Sequence, residues 1–336
     1  GDEYGVTGAR ILRKDGEIFD KFRVIRLLGR GGMAEVYQAE HLLLKQRCAL
    51  KLMRNNGASS DPVFIKRFLR EAKLSHSLNH PNIVKVYDVG NDAKTGYFFI
   101  AMEYIEGKTL LELSRESQLS EEMLKTVLYS MGSALQVLAD AGVVHRDIKP
   151  SNIMLDSNGV FKLMDLGIAK SSSNHAAGEM TLTMEQSAMG TPSYASPEQC
   201  QSAHSVDIRS DIYSLGATIY HAASGKLPFA GSTAVEIILK VVQGDIEPLK
   251  NLRPDLSADF LDLVERMMKK DPSERPASPG TLIDMLTGSL DVSGSRIMRW
   301  FGRFFRKKTK KTSGITYEKD SFSCLWQSHC RTIQTE

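Results

Sequence analysis

His145-Arg146-Asp147-Ile148-Lys149-Pro150-Ser151-Asn152 is the stretch on which the reading of this sequence turns. It sets a carboxylate, a lysine two residues on and an asparagine five residues on within one short loop. Such a loop brings together three complementary groups. Asp147 can orient an attacking hydroxyl and accept its proton, Lys149 can neutralise a moving phosphoryl group, and the amide oxygen of Asn152 can ligate Mg²⁺. A polar turn after a helix is the bland alternative, and eight consecutive matched positions weigh against it.

Eighteen residues beyond Asp147, Asp165-Leu166-Gly167 follows the strand-like run Val160 to Met164. A carboxylate at a strand end beside glycine is well placed to hold a metal bound to phosphates. Upstream, Leu28-Gly29-Arg30-Gly31-Gly32-Met33-Ala34-Glu35-Val36 is rich in glycine, which lets the backbone come close to phosphate oxygens. The chain continues from it as a strand, Val36 to Ala39, whereas a dinucleotide-binding turn would open a helix. The reading is therefore a strand-loop-strand flap over a nucleotide. Lys51 ends the apolar run Ala49-Leu50, and Glu71 follows twenty residues later on a helical pattern. Each alone reads as a surface residue; together they offer a lysine for phosphates and a carboxylate to hold it.

Around these motifs the periodicity changes character once. Phe22 to Leu28, Val36 to Glu40, Cys48 to Met53, Ile83 to Val89 and Tyr97 to Tyr104 read as strands, with one helix opened by Asp61-Pro62 among them. After Glu106-Gly107 the segments read as helices: Leu110 to Leu113, Glu121 to Ala141, Ile212 to Ala223, Ala234 to Gln243, Ala258 to Lys269 and Gly280 to Thr287. The expected architecture is α+β: a small β-rich lobe and a larger α-rich lobe, with a cleft between them as the ligand site.

Length and composition, 336 residues with 42% hydrophobic and 25% charged, suit a folded globular chain and exclude wholesale disorder. Four scattered cysteines make no disulfide framework. Cys324 and Cys330 bracket His329, but the spacing fits no strong zinc pattern. No apolar stretch is long enough to span a bilayer and no signal peptide opens the chain. Gly1 in place of Met fits a fragment or processed form of a longer protein. Charge is uneven: from Ser289 onward ten Lys/Arg face four Asp/Glu. Arg296 to Lys311, RIMRWFGRFFRKKTKK, puts Ile297, Trp300, Phe301, Phe304 and Phe305 on one helical face, with Lys and Arg around the rest. Such a segment suits an anionic membrane interface; a helix docked on the body and a protein-binding segment compete with that reading, and nucleic acid ranks below them.

These motifs, in this order and spacing, resemble the eukaryotic-type (Hanks-type) Ser/Thr protein kinases, and Gly-Gly-Met-Ala-Glu-Val-Tyr, Asp-Leu-Gly-Ile-Ala-Lys and Ser-Pro-Glu-Gln resemble the family's bacterial branch. The resemblance implies a bilobal kinase fold over residues 22–287, with an N-lobe at about 22–102, a hinge at 103–107 and a C-lobe at 108–287. A lead-in of residues 1–21 and a basic tail of 288–336 flank it. It implies ATP and Mg²⁺, with Mn²⁺ as an alternative, and phosphorylation of Ser/Thr on protein substrates in signalling. Leu28, Gly29, Gly31 and Gly32 would cover the phosphates; Val36, Ala49 and Met154 would sandwich the adenine; Met102 would be the gatekeeper and Glu103-Tyr104-Ile105 the hinge. Lys51 would contact phosphates and pair with Glu71. Asp147 would be the base, Lys149 would mark serine/threonine over tyrosine specificity, and Asn152 and Asp165 would be the metal ligands. Glu198 would form a buried pair with Arg275, and Asp211 would brace the catalytic loop. Gly190-Thr191 would shape the floor for the acceptor peptide.

Three departures stand out: Ala34 for a glycine, Leu166 for phenylalanine and Ser196 for alanine, none of which removes a group touching phosphate, metal or proton. The hydroxyl-rich segment from Asp165 to Glu198 is expected to be autophosphorylated at Thr181 or Thr183, with Arg146 and Lys170 receiving the phosphate. A cytoplasmic setting is expected, peripheral to the inner membrane face if the tail binds lipid; the resemblance also admits an oligomer. Two rival readings compete. A pseudokinase would lack Lys51, Asp147 or Asp165, and all three are present. A small-molecule kinase is disfavoured by the long hydroxyl-rich loop and by Asp211-Ile212-Tyr213-Ser214-Leu215-Gly216 beyond it.

Overall fold

The computed structural model describes residues 16–30, 34–53, 72–73, 75–92, 94–165, 192–201 and 206–288. All belong to one compact unit, residues 1–291; a second unit, residues 292–336, contains none of them.

Alternation builds the small lobe. Strands β1 (Ile18–Phe19), β2 (Phe22–Arg30), β3 (Ala34–His41), β4 (Arg47–Met53), β5 (Val86–Asn91) and β6 (Phe98–Glu103) form one antiparallel sheet in the order β1-β2-β3-β4-β6-β5. Successive side chains point to opposite faces, so one sheet buries two sets of residues. Tyr37, Ala39, Cys48, Leu50, Leu52, Phe99 and Ala101 pack on one face with Phe19 and Phe22. Ala34, Ala49, Met53, Phe98, Ile100 and Met102 pack on the other. Lys51 falls between Ala49 and Met53 on that second face, which turns towards the larger lobe.

The expected strand Ile83 to Val89 is corrected: β5 begins at Val86, and Ile83 makes a single parallel bridge to Leu163. The reason is hydrogen bonding. Val84 N–H donates to the Leu163 carbonyl at 3.0 Å, and Leu163 N–H donates to the Asn82 carbonyl at 2.8 Å. This backbone is committed to the other lobe and cannot also join β6. The helix expected from Asp61 lies mostly outside the described residues; residues 72–73 and 75–77 are helical.

A second antiparallel sheet, β7 (Gly107–Thr109), β8 (Ile153–Asp156) and β9 (Phe161–Leu163), lines the top of the large lobe. Gly107 permits a close approach there: a Cβ added to it would lie 1.9 Å from the Leu155 carbonyl oxygen. Gly107→Ala is expected to cost about 1–3 kcal/mol, read by thermal unfolding, because the obstacle is backbone and cannot swing aside.

The described helices of the large lobe are α1 (Leu110–Glu116), α2 (Glu121–Asp140), α3 (Pro197–Gln201), α4 (Ile208–Ser224), α5 (Ala234–Gln243), α6 (Leu249–Leu252), α7 (Ala258–Met267) and α8 (Pro279–Gly288). Their ends are chemically marked. Thr109 and Glu112 form a reciprocal capping box at α1, Asp207 caps α4, and Gly225, in the left-handed region at φ 72°, closes α4. Helix α4 is buried nearly all round, from Ser210 to Tyr220, as a helix at the centre of a lobe must be. It and α2 share one core with Leu282 and Leu286 of α8. Among the described residues, no helix is long and apolar enough to cross a membrane.

Candidate active site

Three polar groups of the loop between α2 and β8 are fixed by residues outside that loop. Asp211, in the first turn of α4, is fully buried and accepts from the backbone N–H groups of His145 (2.7 Å) and Arg146 (2.8 Å). Burial pushes its carboxyl up to about 7, against the pull of those two amides. The buried His145 ring accepts the Asp147 N–H at Nδ1 (3.2 Å), which leaves Nε2 to donate to the Met164 carbonyl at 3.0 Å. The loop is thereby tied to the strand end that carries Asp165. Arg146 and Asp165 both adopt left-handed backbone, at φ 65° and 49°. Such conformations cost about 1–3 kcal/mol each for non-glycine residues and persist where surrounding structure enforces them.

Within this frame the side chains converge. Asn152 is buried and donates from Nδ2 to the Asp147 carbonyl (2.8 Å) and to Asp147 Oδ2 (3.1 Å). Lys149 Nζ lies 3.1 Å from the same Oδ2. Across the cleft, Lys51 Nζ reaches Asp165 Oδ1 at 2.6 Å. Desolvation alone would push the Asp165 carboxyl up; the Lys51 ammonium beside it outweighs that and holds it below the usual range. The structure thus brings Lys51, Asp147, Lys149, Asn152 and Asp165 to one place from β4, the loop before β8 and the end of β9.

The apolar slot next to them is also assembled. Ala49, Met102 and Ile105 belong to one cluster, with Val36 and Met154 packed against it. Ala49 pairs directly with Met102, and Val36 with Lys51. Glu103 ends β6. Leu28 is exposed on β2, outside that cluster. Gly29 pairs with Val36, and a Cβ added to it would meet nothing within 4 Å, so its backbone is open to a ligand. Gly31, Gly32, Glu71, Lys170, Thr181, Thr183, Gly190 and Thr191 lie outside the described residues.

A second polar centre supports the first from behind. Arg275, shielded from solvent, donates to Glu198 through both terminal nitrogens, at 2.7 and 2.9 Å. Its remaining donors reach the carbonyls of Lys269, Lys270 and Arg209, and its guanidinium lies 5.0 Å over the Tyr213 ring. Ser210 donates to Glu198 as well.

Sequence reading gave Glu198 its partner Arg275 but missed the pairing of Ser196 with Gln199. Gln199 Oε1 accepts from the Ser196 N–H at 3.0 Å, while the Gln199 N–H donates back to Ser196 Oγ at 3.3 Å. The Ser-x-x-Gln spacing of a capping box was the available signal. Gln199 Nε2 then donates to the Arg146 carbonyl at 3.4 Å, joining α3 to the loop between α2 and β8.

A model of the protein kinase domain matches residues 22–285. Among curated proteins the chain is 36% identical over 259 residues to the serine/threonine-protein kinase PrkC of Bacillus subtilis, covering 77% of this chain and 39% of that protein. It is 38% identical over 268 residues to PknA of Mycobacterium tuberculosis, covering 79% and 60%. It is 40% identical over 265 residues to the serine/threonine-protein kinase pkn3 of Myxococcus xanthus, covering 77% and 48%. The chain therefore spans about two-fifths to three-fifths of the length of these relatives. The crystal structure of the Mycobacterium tuberculosis PknI kinase domain matches with a TM-score of 0.64 at 27% identity, over 82% of this chain and 98% of that one. This chain belongs to the protein kinase family, alongside bacterial serine/threonine-protein kinases.

Proposed function

We propose that the chain phosphorylates Ser/Thr hydroxyls of proteins, using ATP with Mg²⁺ or Mn²⁺. The observation that carries this reading is the convergence of Lys51, Asp165, Asp147, Lys149 and Asn152 beside an apolar slot. The donor set fits a hard divalent cation. Asp165 is kept anionic by Lys51, and the NH₂ of Asn152 is taken up by Asp147, which leaves an amide oxygen. When bound, MgATP supplies the phosphoryl group and neutralises its charge.

The chain's own residues do the remainder. Val36, Ala49, Met102, Ile105 and Met154 hold an adenine between the lobes and exclude water. Lys51 exchanges Asp165 for phosphate oxygens. Asp147, held by Asn152 and Lys149, orients the acceptor hydroxyl and takes its proton. Lys149 offsets charge on the moving group. Incubation of the full chain with Mg²⁺, γ-labelled ATP and a generic protein acceptor tests this. Label on Ser/Thr supports it; ATP binding without transfer would favour the pseudokinase. Lys51→Met is expected to lower kcat/KM for ATP by about 10²-fold or more in the same assay, because one charge-assisted phosphate contact is lost.

Two finer elements belong to the same reading. Autophosphorylation at Thr181 or Thr183, received by Arg146 and Lys170, would order the segment between Asp165 and Glu198. Mass spectrometry finding both threonines unmodified in active enzyme overturns it. The basic segment 296–311 would bring the chain to an anionic membrane surface from the cytoplasmic side. Equal vesicle sedimentation of the full chain and one ending at Gly288 would reject that.

A further inference from the structure

Glu103 is held by two neighbours, Lys85 and Lys162. Its N–H donates to the Lys85 carbonyl at 2.8 Å, and its carboxylate accepts from the Lys85 N–H at 3.3 Å. The same carboxylate meets Lys162 of β9 with both oxygens, at 2.9 and 3.0 Å. These side chains are only 25% and 13% exposed, so the attraction is less screened than at an open surface.

The position of this pair matters more than its strength. Met102, next to Glu103, pairs with Ala49 in the roof of the apolar slot. Lys162 stands directly opposite Met154, the floor residue, across β8 and β9. The ion pair therefore joins the strand carrying the roof to the strand facing the floor. Each side has its own core: the outer face of the six-stranded sheet on one hand, the helical core with Phe161 and Leu163 on the other. Loss of the pair would leave both lobes folded and still joined by the backbone bonds between residues 82–84 and Leu163, with the roof-to-floor spacing at the Glu103 end of the slot no longer held.

We infer that Glu103 and Lys162 form a strut that sets the distance between roof and floor of the adenine slot, with Lys162 a positioning residue that touches no nucleotide. This rests on the nucleotide reading of the cleft. Without the strut, only a fraction of molecules holds the slot at binding width, and apparent affinity falls by that fraction.

The test is isothermal titration of ADP, with steady-state kinetics, on the full chain and three variants. Lys162→Met is expected to weaken ADP binding and raise KM for ATP by about fivefold, with kcat within about twofold. Lys162→Arg, which keeps the charge, should bind ADP as the wild type does. The exchange Glu103→Lys with Lys162→Glu should recover most of the loss. Unchanged ADP affinity in Lys162→Met overturns the strut. So does a loss that Lys162→Arg shares, because that marks a packing defect. If the exchanged pair does not fold, the contrast between Lys162→Met and Lys162→Arg decides. A wild-type chain that binds no ADP overturns the nucleotide reading itself, which separates the two failures.

Discussion

Asp147→Asn is expected to lower kcat by about 10²–10⁴ while leaving the fold and the KM for ATP nearly unchanged, the range typical for losing a general base. Asparagine has the shape of aspartate and can still accept from Asn152 and Lys149, whose partner is Oδ2. The loop is fixed by other means. Asp211 holds the backbone of His145 and Arg146, and the His145 ring holds the Asp147 N–H. What asparagine lacks is an acceptor basic enough to take a hydroxyl proton. Steady-state kinetics beside thermal unfolding checks this: unchanged melting with lost turnover is the expected pair of results. A variant keeping more than a tenth of wild-type turnover would remove Asp147 from the role of base.

Arg275→Met carries the largest expected effect on stability, about 3–5 kcal/mol, the usual consequence of stripping one partner from a buried ion pair. Total stabilities of about 5–15 kcal/mol make this a substantial share. The cost has two sources. Glu198 is left with Ser210 as its remaining side-chain donor, and the carbonyls of Lys269, Lys270 and Arg209 lose theirs. Adding Glu198→Leu is therefore expected to recover only part of the loss, since the carbonyls of Lys269 and Lys270 still lack the guanidinium. Full recovery in urea denaturation would show that the ion pair alone matters. pH sharpens the test. Burial would push the Glu198 carboxyl up, but Arg275 and Ser210 hold it below the usual range. A depressed native value means that the pair's contribution is complete above the ordinary glutamate pKa of about 4.3 and fades as pH falls through the native value. Wild type should then lose more stability than Arg275→Met on acidification below about pH 4.3.

Much of the site was legible because its residues are close in sequence or sit at element ends. Asp147, Lys149 and Asn152 share one loop, and the structure joins them by direct hydrogen bonds and an ion pair. The strands were legible from alternation, although Ile83 was misplaced because its neighbours spend their hydrogen bonds on β9 rather than on β6. Local patterns do not report such cross-lobe commitments. The same blindness hid the pairing of Glu103 with Lys162, 59 residues apart. Neither residue type nor local spacing distinguishes that lysine from a solvated one. It also hid the direct contact of Lys51 with Asp165, 114 residues apart, because sequence reading gave the lysine a nearer carboxylate, Glu71.

The Glu198–Arg275 link has a consequence for the order of events on the ribosome. The two residues are 77 positions apart, and the guanidinium also gathers the carbonyl of Arg209. At about 5–20 residues per second, roughly 4–15 s pass between synthesis of the glutamate and of its partner. Throughout that interval the nascent chain holds a carboxylate destined for the interior with no cation to meet it. The helical lobe is therefore expected to close late, after the small sheet has emerged whole. Ribosome-bound chains stalled before Arg275 should be cut readily by protease within the helical lobe, and chains stalled far enough beyond it should resist.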